Sequence, residues 1–299
     1  MHTAEAAVLL RNDCSVQLRL PDAVPLDCAA QALASLQTAE GEFFVEGEQL
    51  WHVVKYMRTM NRPGVLLKEG DVIKLGRVSM RVKTLRATDE EDTQDSSEDD
   101  AELEWPGESG TCRVCLSDEA SAENPMISPC VCTGSVKHIH LECLQTWIES
   151  RKTTKESENA VNQFWKTMDC ELCKAPYPLK VLKQGRAYHL YRIQQPQAPY
   201  IVFEPLVGER SAGMHIVSFR NKCALKVGRG HDTDIRVSDI SVSRFHASLH
   251  FQDGHFLLED NRSKFGCLVL ARGPVQVRAD TPTFLQMGRT VASFSVVKR

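Results

Sequence analysis

At 299 residues, with 42% hydrophobic and 25% charged residues, the chain is long enough for about two packed domains and too apolar to be disordered along most of its length. No stretch reaches the roughly 18 consecutive apolar residues of a membrane span. The N-terminus also lacks a basic region followed by an apolar core and a cleavage site, so a soluble cytoplasmic or nuclear chain is expected. The net charge of −3 is segregated: residues 89–104 hold ten carboxylates and no Lys or Arg, leaving a remainder of +7.

Residues 1–87 read as short strands at 15–20, 42–45, 50–56 and 65–85, the last with a Gly70-Asp71 turn, and a short helix at 27–36. Residues 88–110 form an acidic stretch with too little apolar surface to offset its ordering entropy, and are expected to be a disordered linker. A metal motif occupies 111–177. Within it Leu141, Leu144, Trp147 and Ile148 share one face of a helical run, and a polar insertion at 151–160 follows. Residues 178–197 read as a connecting hairpin turning at Gln184-Gly185, and 198–299 as regularly spaced strands of a β-sandwich. Leu75-Gly76-Arg77 finds a faint echo in Met287-Gly288-Arg289. The expected fold class is multidomain and mainly β, with one main helix in the metal domain.

Seven of the eleven cysteines lie between Cys112 and Cys173 in close pairs, which inside a cell argues for metal rather than disulfides. The ligand order is Cys112-x2-Cys115, Cys130-x-Cys132, His140-x2-Cys143, Cys170-x2-Cys173. Eight soft ligands fill two tetrahedral zinc sites and leave no open position, so both zincs are expected to be structural.

The segments CRVC, SPCVCTGSVKHIHLECLQTWI and CELCKAPY resemble the RING-CH domain, a RING-finger variant found in ubiquitin ligases. The PHD finger shares the ligand order, but Met168 and the Cys130-x-Cys132 spacing oppose it. The resemblance implies a cross-brace, with Cys112, Cys115, His140 and Cys143 on one zinc and Cys130, Cys132, Cys170 and Cys173 on the other. It further implies a ubiquitin-conjugating enzyme docked on Val114, Trp147 and Pro176, with Lys174 placed to bridge to ubiquitin. The mechanism implied is positioning without a covalent intermediate. The gap from Cys143 to Cys170 is longer than in typical RING-CH domains, and the insertion is expected to project without touching zinc.

In the C-terminal region Val227-Gly228-Arg229-Gly230, Asp234-Ile235, Ser241-Val242-Ser243-Arg244-Phe245-His246 and Asp260-Asn261-Arg262-Ser263-Lys264-Phe265-Gly266 appear in fixed order. Together they resemble a forkhead-associated (FHA) domain, a β-sandwich that reads phosphothreonine peptides through loops at one end. A phosphate suits a guanidinium, a hydroxyl and further cations converging from loops. By position Arg229 and Ser243 resemble the phosphate contacts, Arg244 lies beside the peptide, Lys264 adds charge, and His246 braces the loop. Phe265 replaces an asparagine that commonly bonds the peptide backbone. The N-terminal segment resembles the last FHA strands without the arginine and serine-histidine signatures, so a degenerate FHA-like unit is expected there.

The joint order is similar to soluble RING-CH/FHA proteins of unicellular eukaryotes. It implies a zinc-dependent ubiquitin ligase whose partners are a ubiquitin-conjugating enzyme with ubiquitin and a phosphothreonine protein; neither nucleic acid nor a membrane span is expected. A zinc-binding phosphopeptide adaptor without ligase activity is the alternative.

Overall fold

The computed structural model describes residues 6–12, 15–19, 31–57, 64–89, 103–104, 110–157, 160–166, 169–178, 180–183, 186–190, 196–207, 210–211, 213–219, 223–279 and 281–296. Most of the acidic linker expected at 88–110 lies outside these residues. The chain forms two compact units, Met1–Leu85 together with Cys223–Arg299, and Arg86–Lys222. The second is thus inserted in sequence between the halves of the first.

The first unit is all β among its described residues, apart from one 3-10 turn at Val54–Tyr56. The N-terminal segment does not stand apart as a separate FHA-like unit. Its strand Leu50–Val53 lies between Cys267–Leu270 and Thr283–Met287 in one sheet, antiparallel to both, and Val72–Leu75 flanks Cys267–Leu270 on the other side. Val65–Leu66 likewise extends the sheet of Ala224–Gly228, Ala247–Gln252 and His255–Asp260. Glu42–Glu46 pairs with Val275–Val277. Sequence pattern reveals which residues can be strands, but these pairings join segments about 200 residues apart, and only the shared core selects them.

That core is period-2 in origin. His255–Asp260 alternates exposed or half-buried with buried residues, and the hairpin joining it to Ala247–Gln252 turns at Asp253-Gly254, both with positive φ, as a two-residue loop of this twist requires. Ala34, Val45, Leu50, Val275, Val277, Leu285 and Met287 form one buried cluster drawn from both halves of the unit. The helix expected at 27–36 is corrected by the strand Gln31–Ala39, which pairs with Glu42–Glu46 through the Glu40-Gly41 turn; sheet packing there overrides the helical propensity of its alanines and leucines. The echoed tripeptides both fall at two-residue hairpin turns, between Leu75 and Val78 and between Met287 and Thr290.

The second unit holds the metal motif and the α-helix Leu141–Ser150. Leu141, Leu144 and Ile148 of this helix pack with Met126, Ile127 and Ile139, and the same cluster takes in Tyr200, Val202, Met214 and Ile216. The hairpin Tyr200–Val207/Gly213–Ser218 therefore belongs with the metal domain, not with the FHA region as its place in sequence suggested. The insertion is not a bare projection. Lys152–Ser157 and Ala160–Lys166 form a hairpin whose second strand pairs with Gly213–Ser218. Lys180–Lys183 and Arg186–His189 make a further hairpin, and Leu103–Glu104, from the expected linker, pairs parallel to its first strand.

Because Leu50 is 3% exposed and its cluster is mostly C-terminal, Leu50→Ala is expected to cost about 2–5 kcal/mol. The measurement is the denaturant midpoint followed by a probe on the 223–299 half, which an independent N-terminal unit would leave unmoved.

Candidate zinc centres and phosphate-reading loops

Two tight backbone turns bring the outer cysteine pairs into position. In the first, Leu116 N–H donates to the Cys112 carbonyl at 2.9 Å and Cys112 N–H to the Ser117 carbonyl at 2.8 Å. The second repeats it, with Lys174 N–H to the Cys170 carbonyl at 2.9 Å and Cys170 N–H to the Ala175 carbonyl at 2.8 Å. Each turn closes on a non-glycine residue in the left-handed region, Leu116 at φ 62° and Lys174 at φ 61°. Such residues cost about 1 kcal/mol or more, and persist where the surroundings over-determine them.

The inner pairs come from different elements. Ile139–His140 pairs with Met126–Ile127 and leads into the helix, whose first turn carries Cys143. Asn124 Oδ1 accepts the Glu142 N–H at 3.0 Å, satisfying one of the amides a helix start leaves open. Cys112, Cys115, His140 and Cys143 then gather with ligand atoms within 4.8 Å of one another, as do Cys130, Cys132, Cys170 and Cys173. This is the cross-brace pairing that ligand order alone does not determine.

The donor chemistry fits zinc. His140 presents Nδ1 to Cys115 Sγ at 3.2 Å and to Cys143 Sγ at 4.0 Å, and Cys132 and Cys170 Sγ lie 3.7 Å apart, the spacing of thiolates around one tetrahedral ion and far longer than a disulfide. Burial opposes ionisation of Cys112, but N–H groups around it, including those of Val114 and His140 at 3.4 Å, outweigh that and bring it down to about 6; Cys170 is brought to about 6 in the same way. Burial, then neighbouring thiols, pushes Cys130 and Cys143 up to about 12. Neither site can therefore ionise fully at neutral pH without a cation to balance it.

Four thiolates around one Zn2+ carry a net −2, and the side chain facing them is Arg113, a residue the ligand pattern gave no reason to single out. Its NH1 lies 4.0 Å from Cys130 Sγ and 3.9 Å from Cys132 Sγ, and its NH2 is 3.7 Å from Cys170 Sγ. The same guanidinium donates to the Val136 carbonyl at 2.9 Å and to Tyr177 Oη at 3.0 Å. Tyr177 in turn meets the Trp147 ring edge-on at 6.1 Å.

Through this chain the expected docking residues are linked: Val114 follows Arg113, Pro176 precedes Tyr177, and Trp147 packs on Tyr177. Val114 is 51% exposed, Pro176 and Lys174 are exposed, and Trp147 is half-buried beneath the Arg151 guanidinium, 4.4 Å from its ring centroid. Leu116, Val131 and Leu172, lying next to ligands, are also exposed apolar residues that sequence reading passed over.

In the first unit three loops converge. Arg229 N–H donates to the Ser243 carbonyl at 3.1 Å and Gly230 N–H to the Arg244 carbonyl at 3.0 Å, while Ser243 Oγ accepts the Lys264 N–H at 3.2 Å. Buried His246 locks them: Nδ1 accepts from Ser243 N–H at 2.9 Å, so Nε2–H donates to the Gly266 carbonyl at 3.2 Å. Burial lowers its pKa and keeps it neutral. His246, Asp260 and Cys267 are close enough for a metal, yet Asp260 is occupied by the Ser263 N–H and hydroxyl, at 3.0 and 2.7 Å, and Cys267 is held protonated by burial.

Arg229, Arg244 and Lys264 are exposed, and among the described residues the Arg229 guanidinium has no hydrogen-bond or ion-pair partner. Lys264 Nζ rests 5.4 Å from the centre of the exposed Phe265 ring. The N-terminal segment reaches these loops as well, with Lys55 Nζ donating to the Ser263 carbonyl at 3.2 Å.

Residues 112–173 match the family model of the RING-variant domain, and residues 225–292 that of the FHA domain. The chain contains both domains. It is 28% identical over 196 residues to the E3 ubiquitin-protein ligase MARCHF7 of Rattus norvegicus, covering 62% of this chain and 25% of that protein. It is 46% identical over 68 residues to the E3 ubiquitin-protein ligase MARCHF6 of Homo sapiens (22% of this chain, 6% of that protein). The ERAD-associated E3 ubiquitin-protein ligase DOA10 of Saccharomyces cerevisiae is 33% identical over 72 residues (24% and 5%). The chain spans a quarter or less of the length of these relatives. No solved structure matches it. Among the described residues no helix is long and apolar enough to cross a membrane.

Removing the zinc with a chelator is expected to unfold the RING-variant domain while leaving a cooperative transition of the first unit, as followed by circular dichroism with zinc released into a chromophoric dye. Arg113→Met is expected to loosen the four-cysteine site about tenfold, the usual effect of losing a group that supports the ligands. Competition with a graded chelator would show one zinc of two leaving early.

Proposed function

We propose that the chain is a RING-type ubiquitin-protein ligase. The observation that carries this reading is the pair of complete four-ligand clusters within a RING-variant domain, together with relatives that are named E3 ubiquitin-protein ligases. Val114, Trp147 and Pro176 dock a ubiquitin-conjugating enzyme, and Lys174 faces its ubiquitin. Exposed apolar side chains on a metal-fixed backbone suit a small docking patch with a polar rim.

Zinc, when bound, supplies shape and folding free energy, and its filled coordination leaves no position for substrate. The chain's own residues act by positioning: a charged conjugating enzyme held in one geometry presents its thioester to a lysine without any covalent bond to the ligase. In this reading the ligase contributes no catalytic acid, base or nucleophile of its own. Arg113 and Tyr177 hold the docking residues to the metal sites.

The FHA domain selects the substrate in this reading. Arg229, Ser243, Arg244 and Lys264 bind the phosphate of a phosphothreonine protein, using the unpaired guanidinium, the hydroxyl and two further exposed cations. Phe265 removes one backbone contact to the peptide, so the phosphate carries more of the affinity.

The test is ubiquitin chain formation by the full chain across a panel of conjugating enzymes. Trp147→Ala is expected to lower the rate at least tenfold with both zincs retained. If no enzyme supports any transfer, the ligase reading fails and a zinc-stabilised phosphopeptide adaptor takes its place.

A further inference from the structure

The FHA match begins at residue 225, yet the turn Gly76-Arg77 from the other end of the chain is seated on the phosphate-reading loops. Arg77 N–H donates to Ser241 Oγ at 2.8 Å, and Ser241 lies two residues before Ser243. Gly76 has φ 62°, and a Cβ there would sit 2.5 Å from Ser241 Oγ and 2.6 Å from the Ser241 carbonyl oxygen, so no other residue allows this approach. The contact fixes where the Arg77 side chain begins.

That side chain is 73% exposed. Its partner is Asp239, with Oδ1 3.9 Å from NH2, but the same Oδ1 accepts the Ser241 N–H at 2.8 Å and the Ser241 hydroxyl at 2.6 Å. Asp239 is thus engaged mainly by Ser241 and holds Arg77 loosely. Two other carboxylates of the FHA region are engaged within it, Asp234 by the Lys226 N–H and Asp260 by Ser263. Ser241 and Ser243 lie on one loop with only Val242 between them, so the contact seats Arg77 at the edge of the loop that carries the serine expected to meet phosphate.

We propose that Arg77 forms a second anion subsite on the FHA domain, so that the preferred ligand is a phosphothreonine peptide carrying a further negative group near the phosphate. The inference rests on the phosphopeptide reading of Arg229 and Ser243. Arg77 adds selectivity, whereas Arg229 supplies the primary phosphate contact. The second group is a carboxylate or another phosphate; both present oxygen acceptors to a guanidinium. An exposed charge pair contributes up to about 1 kcal/mol, which corresponds to roughly fivefold in affinity and weakens as salt rises.

The experiment is fluorescence-anisotropy titration of the full chain with three phosphothreonine peptide pools, flanked by neutral residues, by Asp and Glu, or by a second phosphothreonine. The wild type is expected to favour the anionic pools about fivefold. Arg77→Glu should abolish that preference while leaving affinity for the neutral pool unchanged, and thermal melting confirms the fold. Asp-Glu and doubly phosphorylated pools rank the two sources of charge. If Arg229→Ala abolishes binding but Arg77→Glu leaves the preference intact, the subsite is overturned and the phosphopeptide reading stands. If no pool binds the wild type, both are overturned.

Discussion

Four thiols cannot share a space less than 5 Å across as thiolates unless a cation balances them, and the architecture of the inserted unit depends on this constraint. Around the ligands themselves the regular structure is one ten-residue helix, a two-residue strand pair and a 3-10 turn, too little to fix the ligand loops. The hairpin of Lys152–Ser157 and Ala160–Lys166 carries no ligand. The two clusters join the first ligand pair to the third and the second to the fourth, so zinc held there would tie together ligand segments distant in sequence. Arg113 extends the principle outward. A guanidinium against the four-cysteine cluster offsets excess negative charge in a half-buried setting, and its remaining donors fix Val136 and Tyr177. Charge balance at the metal thereby determines the position of the apolar side chains on the surface.

The same logic of imposed position, with different physics, governs the first unit. Its loops around Arg229, Ser243 and Lys264 are not stabilised by their own contacts alone. His246 bonds to two of them from below, and N-terminal residues meet them from the side through Lys55 and Arg77. The strands behind them are paired across the two halves of the chain, so a core residue such as Leu50 supports a surface assembled largely from residues beyond 223.

How legible this was from sequence follows from the range of each interaction. The ligand pairs are separated by one or two residues, and such spacing reflects chelation geometry directly. The helix face of Leu141, Leu144 and Ile148 has its period in the sequence, and both are found as read. The loops of Arg229, Ser243 and Lys264 carry short motifs legible in the sequence, and the structure brings their backbones together. What could not be read was pairing between distant strands. Leu50–Val53 carries no mark that its neighbours are Cys267–Leu270 and Thr283–Met287, because a strand's pattern specifies which face is buried and not which partner covers it. Arg113 and Arg77 escaped for a related reason. Each is an unremarkable basic residue in sequence, and only the three-dimensional neighbours give it a task.

The insertion of one unit within the other raises the question of how strongly their stabilities are coupled. Unfolding the inserted unit would turn it into a flexible loop that the first unit must still close. Closure entropy grows only logarithmically, about 0.6 kcal/mol for each doubling of loop length. Even a severalfold increase in effective length therefore costs the first unit only about 1–2 kcal/mol, a fraction of the stability of an ordinary domain. The metal-dependent folding free energy, by contrast, runs to about 10 kcal/mol or more for structural zinc sites. The two scales differ enough that, through chain closure alone, losing zinc costs the first unit far less than it costs the RING-variant domain. Loop closure by itself therefore does not oblige the two units to share a single cooperative transition.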